Sequence, residues 1–395
     1  MNIAGIISEF NPFHNGHKYI VDKIKNENDC LIAVMSGNYV QRGEPAIISK
    51  FVRAQAALKN GVDLVVELPS PWSASFAQNF AYGAVSCLKE LQIDTLYFGS
   101  ETDSVEYLSK IADMDENLSI ETSKCETYAK TRQEAIRKHL GKKYADVLMG
   151  ANDNLGIEYI KASRLLGCKF DIKTVKRIGA GHDSNITDGN ICSASNIRKN
   201  FNETEIINST PENTHDLIID CIESGCILNK NKFSTAVISY LRRKKDFSSL
   251  PDISEGIENK LLKEIKTAKH YEELLCAVKS KRYTLARIRR LILSAFLDID
   301  RSYVLKPVPY LNILGMTQVG EQVLKTCGKE SNLPLIISCK SSKPLDNQAE
   351  LLLNKECVRN DIYSALLCNP LPCGTDYTNG ILKFKGENPH ENKNN

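Results

Sequence analysis

IAGIISEFNPFHNGHKYIVDKIK, residues 3–25, decides how the first half of this chain is read. IAGIISEF (3–10) is apolar and β-rich enough for a buried strand, and HNGHKYIVDKIK opens a helix straight after it. The same alternation continues outward. CLIAVMSG (30–37), DLVVELP (63–69) and TLYFGSE (95–101) read as strands; SKFVRAQAALKNG (49–61), ended by Gly61, and FAQNFAYGAVSCLKEL (76–91) read as helices. Continuous apolar strands alternating with amphipathic helices predict an α/β fold: a doubly wound parallel sheet, Rossmann-like, covered on both faces. Ligands of such sheets bind beyond the carboxyl ends of the strands, where the strand order reverses. NPFHNGH, SGNYVQRGEP and FGSE each follow a strand directly, so all three are expected on one rim.

Residues 118–148 are strongly helical and are expected as an insertion before the last strand of this half, DIKTVKRIG (171–179). NFNETEIINSTPENTH (200–215) is polar and reads as a linker or long loop. From 215 to 300 the periodicity is almost wholly helical; from 301 it becomes mixed, with YVLKPVPYLNILG and LPLIISCKSS strand-like. The expected division is a doubly wound α/β domain over 1–205, a mainly helical α+β second domain over 215–385, and a disordered tail, GENPHENKNN, over 386–395.

The 395 residues, 25% of them charged, are those of a water-soluble globular chain with room for two or three domains. A net charge of +3 is too small to imply nucleic-acid binding unless the positive charge is clustered. The 13 cysteines are odd in number and scattered, and no pair forms CxxC, which argues for reduced thiols rather than a zinc knuckle or a disulfide framework. MNIAGIISEF lacks a basic, then apolar, leader pattern, and no stretch reaches the roughly 18 unbroken apolar residues of a membrane helix. The expectation is a cytoplasmic protein with no membrane partner.

His14 and His17 admit three readings: a metal pair, packed or surface histidines, or a phosphate cradle. A metal site needs a third ligand, and the familiar zinc helix spaces its histidines i, i+4 with a glutamate between, which is absent here. Position favours phosphate. After a parallel strand, Gly16 lets backbone approach a ligand, the helix N-terminus favours negative charge, and two imidazoles can donate to phosphate oxygens. GxxxxGK[ST] is absent, and GAGHDS (179–184) lacks the third glycine of a dinucleotide fingerprint.

FHNGH (13–17) is similar to the HxGH signature of the nucleotidyltransferase superfamily, and SASNIR (193–198) resembles its second signature, a serine-rich turn ending in arginine. NPFHNGH, SGNYVQRGEPA, DLVVELP, LYFGSE, LGIEY (155–159), KRIGAGHD (176–183), SASNIR and RYTLARIRRLIL (282–293) occur in the order in which the bacterial tRNA(Met) cytidine acetate ligase family carries them. The resemblance spans about residues 1–300. Two positions depart from the family's pattern: Ala151 stands where a proline precedes the asparagine, and GAGHDS lacks a tyrosine between glycine and histidine.

The resemblance implies an ATP-dependent ligase that makes acetyl-AMP and passes the acetyl group to N4 of the wobble cytidine of elongator tRNA(Met). ATP would be a co-substrate, with Mg²⁺, and no cofactor would be tightly bound; acetate and the tRNA would be the other partners. His14, His17 and Arg198 are the expected catalytic residues. The nucleotide would meet the strand end at Ile7, Ser8, Glu9 and Phe10, the loop Asn11, Pro12, Phe13, His14, Asn15, Gly16 and His17, and the helix start at Lys18, Tyr19 and Ile20. Arg198, with Ser193 and Ser195, suits the departing pyrophosphate, because a guanidinium fork binds phosphate oxygens bidentately; Lys176 and Arg177 end a strand on the same rim. Gly99 is either a strand-ending turn or a place where a base approaches backbone, and Asn152 is either an N-cap for a helix over 153–165 or a reader of adenine or ribose. Gln41, Arg42 and Glu44 shape the acetate pocket or meet the cytidine; the residues alone do not choose. KSKRYTLARIRRLIL (279–293) is the sharpest basic cluster. At helical spacing Leu285, Ile288, Leu291 and Ile292 fall on one side and Arg282, Arg287, Arg289 and Arg290 on the other, either a solvated face or a platform for tRNA phosphates. Two rival functions share parts of this pattern: a small-molecule adenylyltransferase of the pantetheine or nicotinamide kind, and a non-catalytic RNA-binding protein on a nucleotide fold.

Overall fold

β1 (Ile3–Ser8) and β2 (Cys30–Ser36) pair in parallel, from Ile3 beside Cys30 to Ser8 beside Met35. All seven residues of β2 are buried, because the strand lies inside the sheet with helices over both faces. Its side chains divide by the two-residue period. Leu31, Ala33 and Met35 join the core under helices Asn15–Lys25 and Lys50–Lys59; Cys30, Ile32 and Val34 join the opposite core, under helices Ala77–Glu90 and Ala151–Leu165. These details come from a computed structural model that describes residues 1–117, 128–178, 192–254, 256–338 and 345–384.

A two-stranded hairpin, β3 (Tyr39–Val40) and β4 (Glu44–Pro45), follows β2; then come β5 (Leu64–Leu68), β6 (Thr95–Ser100), β7 (Asp171–Lys176), β8 (Leu311–Thr317), β9 (Leu335–Ile336) and β10 (Leu382–Phe384). The main sheet runs β10-β8-β5-β2-β1-β6-β7, with β9 beside β8. Every pairing in it is parallel except β5 with β8. The order reverses at β1: β2 lies on one side, and β6 and β7 on the other. The carboxyl ends of β1, β6 and β7 therefore frame one crevice, on the rim expected from the loop positions.

The doubly wound reading of residues 1–176 holds, with strand bounds within three residues of those expected. Two other expectations are corrected. The 200–215 stretch is not a linker: it holds helix Glu203–Ser209, begun by Asn202, whose side chain accepts from Glu205 N at 3.0 Å and which buries Ile206 in a small core with Ile47, Ile197 and Ile218. Nor do 215–385 keep to themselves. The helices from Lys230 to Phe296 build a second apolar core, but β8, β9 and β10 return to the first sheet, and Tyr39 of the hairpin and Tyr363 of helix Asn347–Ala365 are buried in the helical core. Of the expected insertion, helices Tyr128–Leu140 and Lys142–Val147 are present, while 118–127 and the tail 386–395 lie outside the described residues. Among the described residues no helix is long and apolar enough to cross a membrane.

Candidate functional site

The loop after β1 is built by apolar anchors. Ser8 Oγ accepts from Phe10 N, Phe10 takes a left-handed φ of 45°, and Asn11–Pro12 is cis. Phe10 and Phe13 are fully buried, their rings 5.0 and 5.6 Å from that of His17. Helix Asn15–Lys25 then starts with a capping box made of two imidazoles instead of the usual hydroxyl and carboxylate: His14 Nδ1 accepts from Gly16 N at 3.0 Å, and His17 Nδ1 accepts from His14 N at 3.3 Å. The two rings lie 3.8 Å apart at 33°.

This geometry fixes a chemical state. With both Nδ1 atoms accepting from backbone N–H groups, each ring carries its proton on Nε2. Burial, then the charges of Arg177 and Arg198, pull His14 down to about 3, and burial, His14 and Arg177 hold His17 well below the ordinary histidine range. Near pH 7 the pair is thus neutral, two fixed N–H donors without a formal charge. In ¹⁵N spectra of the free protein both rings are expected as the neutral Nε2–H tautomer at pH 7, still so at pH 5; a titration of either near 6.5 contradicts the arrangement. Among the described residues no group of three His, Cys, Asp or Glu side chains is placed to hold an ion.

His14, Gly16, Tyr19 and Ile20 line a pocket whose other wall is Arg177, Ile178, Cys192 and Ser193. Gly99 sits behind it: a Cβ there would stand 3.0 Å from Ile20 Cδ1 and 3.3 Å from Arg177 Cγ, so the glycine leaves room for the arginine. Asn152 lies in the first turn of helix Ala151–Leu165 rather than capping it; its side chain donates to Glu101 Oε1 at 2.5 Å, and the other carboxylate oxygen accepts from Asp153 N at 2.9 Å. Glu101 in turn stands 3.9 Å from Arg177 Nε, and Lys176 Nζ donates to the Glu101 carbonyl. The buried Asp153 accepts from Glu101 N and Thr102 N and fixes the turn after β6. Glu101 and Asp153 were not singled out in the sequence, although FGSE and the residue after Asn152 contain them.

Arg198 reaches the β1 loop from helix Ala194–Lys199, which Ser193 caps. Its Nη1 donates to the Asn11 carbonyl at 2.8 Å and its Nη2 to Ser195 Oγ at 3.4 Å, with Glu44 Oε1 3.7 Å from Nε. Arg42 also donates to Ser195 Oγ, at 3.1 Å, and its Nε lies 3.6 Å from Glu9 Oε2. The loop following β2 thus meets both serine and arginine of SASNIR. Several expected residues face elsewhere: Ile7, Phe10 and Phe13 are in the core, Lys18 pairs with Asp22 at the surface, and Asn15 Nδ2 donates to the Asn208 carbonyl.

The basic arc is less uniform than helical projection suggests. Helix Leu285–Phe296 buries Ile288, Leu291 and Ile292 as expected, and Arg282 just before it is exposed. Arg287, however, is folded onto the 252–254 loop, donating to the Asp252 carbonyl and Ser254 Oγ and pairing with the Asp252 carboxylate at 3.3 Å. Arg289 and Arg290 are mostly buried, because the β3–β4 hairpin packs on them: at Gly43, with φ of +80°, a Cβ would stand 2.5 Å from Arg290 N. The arc consequently abuts the hairpin that carries Arg42 and Glu44.

A neutral imidazole pair on a helix N-terminus at the switch point of a doubly wound sheet, with an arginine from a downstream serine-rich turn, defines a nucleotidyltransferase of the HIGH class. The family model described as HIGH Nucleotidyl Transferase matches residues 1–373. The tRNA(Met) cytidine acetate ligase of Thermoanaerobacter sp. (strain X514) is 36% identical over 404 residues, covering 97% of this chain and 100% of that one, and that of Clostridium acetobutylicum is 38% identical over 366 residues, covering 85% and 90%. The apo crystal structure of Thermotoga maritima TmcAL superposes with a TM-score of 0.90 at 30% identity, and that protein bound with alpha-thio ATP with 0.87 at 29%, each covering 97% of this chain and 100% of the other. The chain belongs to the tRNA(Met) cytidine acetate ligase family.

Proposed function

We propose that this protein activates acetate with ATP and ligates it to N4 of the wobble cytidine of elongator tRNA(Met). The observation that carries the reading is the pair of imidazoles stacked 3.8 Å apart at the helix N-terminus, each with Nδ1 accepting from backbone so that Nε2 is left to donate, beside Arg177 and Arg198. An acetate oxygen attacks the α-phosphorus of ATP, and the bond to the bridging oxygen breaks, releasing pyrophosphate and leaving acetyl-AMP. The cytidine amine then attacks the acyl carbon; AMP departs and the amine loses a proton. Little covalent work falls to the protein, so rate comes from alignment and from fixed donors where phosphate charge grows. His14 and His17 serve the α- and β-phosphates, and Arg198 the pyrophosphate. Arg177, Gly99 and Asn152 surround the nucleotide, with Asn152 and Arg177 held in register by Glu101. Mg²⁺ enters on ATP as part of that substrate. The chain's similarity to tRNA(Met) cytidine acetate ligases over nearly its whole length supports this over a small-molecule adenylyltransferase.

Acetate-dependent ATP–pyrophosphate exchange without tRNA tests the first half-reaction. Arg198→Ala is expected to slow exchange by on the order of tenfold or more, the worth of a hydrogen bond to a charged group, with tRNA affinity nearly unchanged. Lost tRNA affinity with normal exchange would move Arg198 to the RNA surface.

Arg282, Arg287, Arg289 and Arg290 form the proposed tRNA platform, placed beside the hairpin so that a bound anticodon loop lies next to the site. Because Arg287 already pairs with Asp252, the sharper test is Arg282→Ala with Arg289→Ala. The double variant should weaken tRNA binding by roughly 1–3 kcal/mol and flatten its salt dependence by up to about two units, with acetyl-AMP formation unchanged. An unaltered salt slope returns this face to plain solvation.

A further inference from the structure

We propose that the side-chain amide of Asn11 holds the carboxylate of acetate and then the carbonyl oxygen of the acetyl group, one neutral donor for both half-reactions; the inference rests on the adenylate-forming reading above. Asn11 is only 2% exposed. Its backbone carbonyl accepts from Arg198 Nη1 at 2.8 Å, and its Oδ1 accepts from Ile47 N at 2.9 Å. Its Nδ2 is buried and has no hydrogen-bond partner among the described residues. The amide cannot turn over to change this, because Ile47 N only donates and needs the oxygen where it is. Phe10 and Phe13, both fully buried, anchor the loop on either side, so the amide has a fixed direction. A buried donor left unmet is costly, and an acceptor brought by a ligand is what this one lacks.

The surroundings choose the ligand. Phosphate oxygens already have His14, His17, Arg177 and Arg198, and Asn11 is not part of the pocket wall between His14 and Arg177. The acetate carboxylate has no donor yet. Asn11 sits where the β1 loop meets the chain leaving the hairpin, since Ile47 follows β4 and the stretch Gln41–Glu44 that was expected to meet acetate or cytidine. A nucleophile approaches the α-phosphorus from the side opposite the departing pyrophosphate, so its subsite lies outside the nucleotide pocket. The chemistry suits an amide better than a cation. A guanidinium on the carboxylate would quench its attack, whereas a neutral N–H offsets part of the lost hydration and leaves the second oxygen free. When that second oxygen bonds to the α-phosphorus and the bond to the bridging oxygen breaks, the held oxygen becomes the carbonyl oxygen of acetyl-AMP. Attack of the cytidine amine on the acyl carbon then places negative charge on the same oxygen. The charge returns to carbon as AMP departs with the electrons of the acyl–oxygen bond, and the amine proton passes to solvent.

Asn11→Asp is the decisive variant, because it keeps an acceptor for Ile47 N and replaces only the donor end of the side chain. In the full-length chain, KM for acetate, KM for ATP and the inhibition constant of pyrophosphate are measured in the acetyl-AMP reaction. Acetyl transfer to tRNA is measured separately from synthetic acetyl-AMP, and a thermal melt reports folding. The expected result is a KM for acetate raised about tenfold or more, with KM for ATP and inhibition by pyrophosphate unchanged, and transfer from acetyl-AMP slowed on the order of 100-fold. A folded Asn11→Asp variant with the wild-type KM for acetate and wild-type transfer overturns the proposal and leaves Nδ2 to a buried water. A raised KM for ATP or weaker pyrophosphate inhibition with acetate unaffected also overturns it, by moving Asn11 to the nucleotide. Should Asn11→Asp not fold, Asn11→Ala decides on the same readings. Wild-type protein that forms no acetyl-AMP but transfers acetyl from supplied acetyl-AMP counts against the adenylate reading, and the Asn11 variants then decide the proposal on the transfer rate.

Discussion

His17→Ala should lower acetyl-AMP formation by at least about 100-fold, the typical cost of deleting one preorganised donor from a site that stabilises growing negative charge. The substitution removes the Nε2–H and the ring that stacks at 3.8 Å on His14, so the remaining imidazole loses both its partner and its fixed orientation. It also removes the acceptor for His14 N, a helix-capping loss of roughly 1 kcal/mol that leaves the fold in place. Single-turnover production of acetyl-AMP, measured beside a thermal melt, separates the two effects. A near-wild-type rate in a folded variant would remove the imidazole pair from the phosphate site.

Lys50→Met should be the most damaging single change to the fold, at about 3–5 kcal/mol, because it strands two buried carboxylates. Lys50 Nζ lies 2.8 Å from Glu67 Oε2 and 2.6 Å from Asp376 Oδ1, with all three side chains almost wholly buried. Burial alone would lower the ammonium, but Glu67 and Asp376 outweigh it and hold Lys50 well above the usual lysine value. The polar shell is closed: Asn312 donates to Glu67, Asn360 to Asp376, Asn38 to Asn360, and Lys50 N to Asn38. The cluster ties helix Thr375–Thr378 to β5 and to the base of the hairpin that carries Arg42 and Glu44. Without the ammonium, burial and the facing Asp376 raise the Glu67 carboxyl further above the ordinary glutamate range, so the folded variant binds a proton that the unfolded chain does not. Stability of Lys50→Met should therefore rise as pH falls from 8 towards 6. Chemical denaturation across that range reads the effect, and a loss under 1 kcal/mol or a stability flat with pH contradicts it.

The placement of the candidate site on the sheet is legible in the sequence. Buried strands give continuous apolar runs whatever the rest of the chain does, and a ligand loop must sit at their carboxyl ends, so His14, His17, Gly99 and Arg177 could be placed on one rim from spacing alone. SASNIR was legible as a signature, but its contact with Asn11 spans 187 residues and leaves no local trace. The return of residues 311–384 to the sheet was hidden for the same reason: strand order depends on which edge is free, and β8 joins β5 antiparallel where alternation predicts only parallel neighbours. Helix Glu203–Ser209 was missed because it buries little, and polar composition outweighed the Asn202–Glu205 capping pattern. Helical projection separated the arginines of Leu285–Phe296 from its apolar face but was blind to Asp252 and Gly43, which come from other parts of the chain.

The central claim is that one chain converts ATP, acetate and tRNA into acetylated tRNA through acetyl-AMP. It is tested most directly by incubating the protein with ATP, labelled acetate and total tRNA, then digesting the RNA to nucleosides. The account predicts label in N4-acetylcytidine, confined to elongator tRNA(Met), with one AMP released per acetyl group. AMP release with no label in RNA, or no acetate-dependent turnover of ATP, would contradict it.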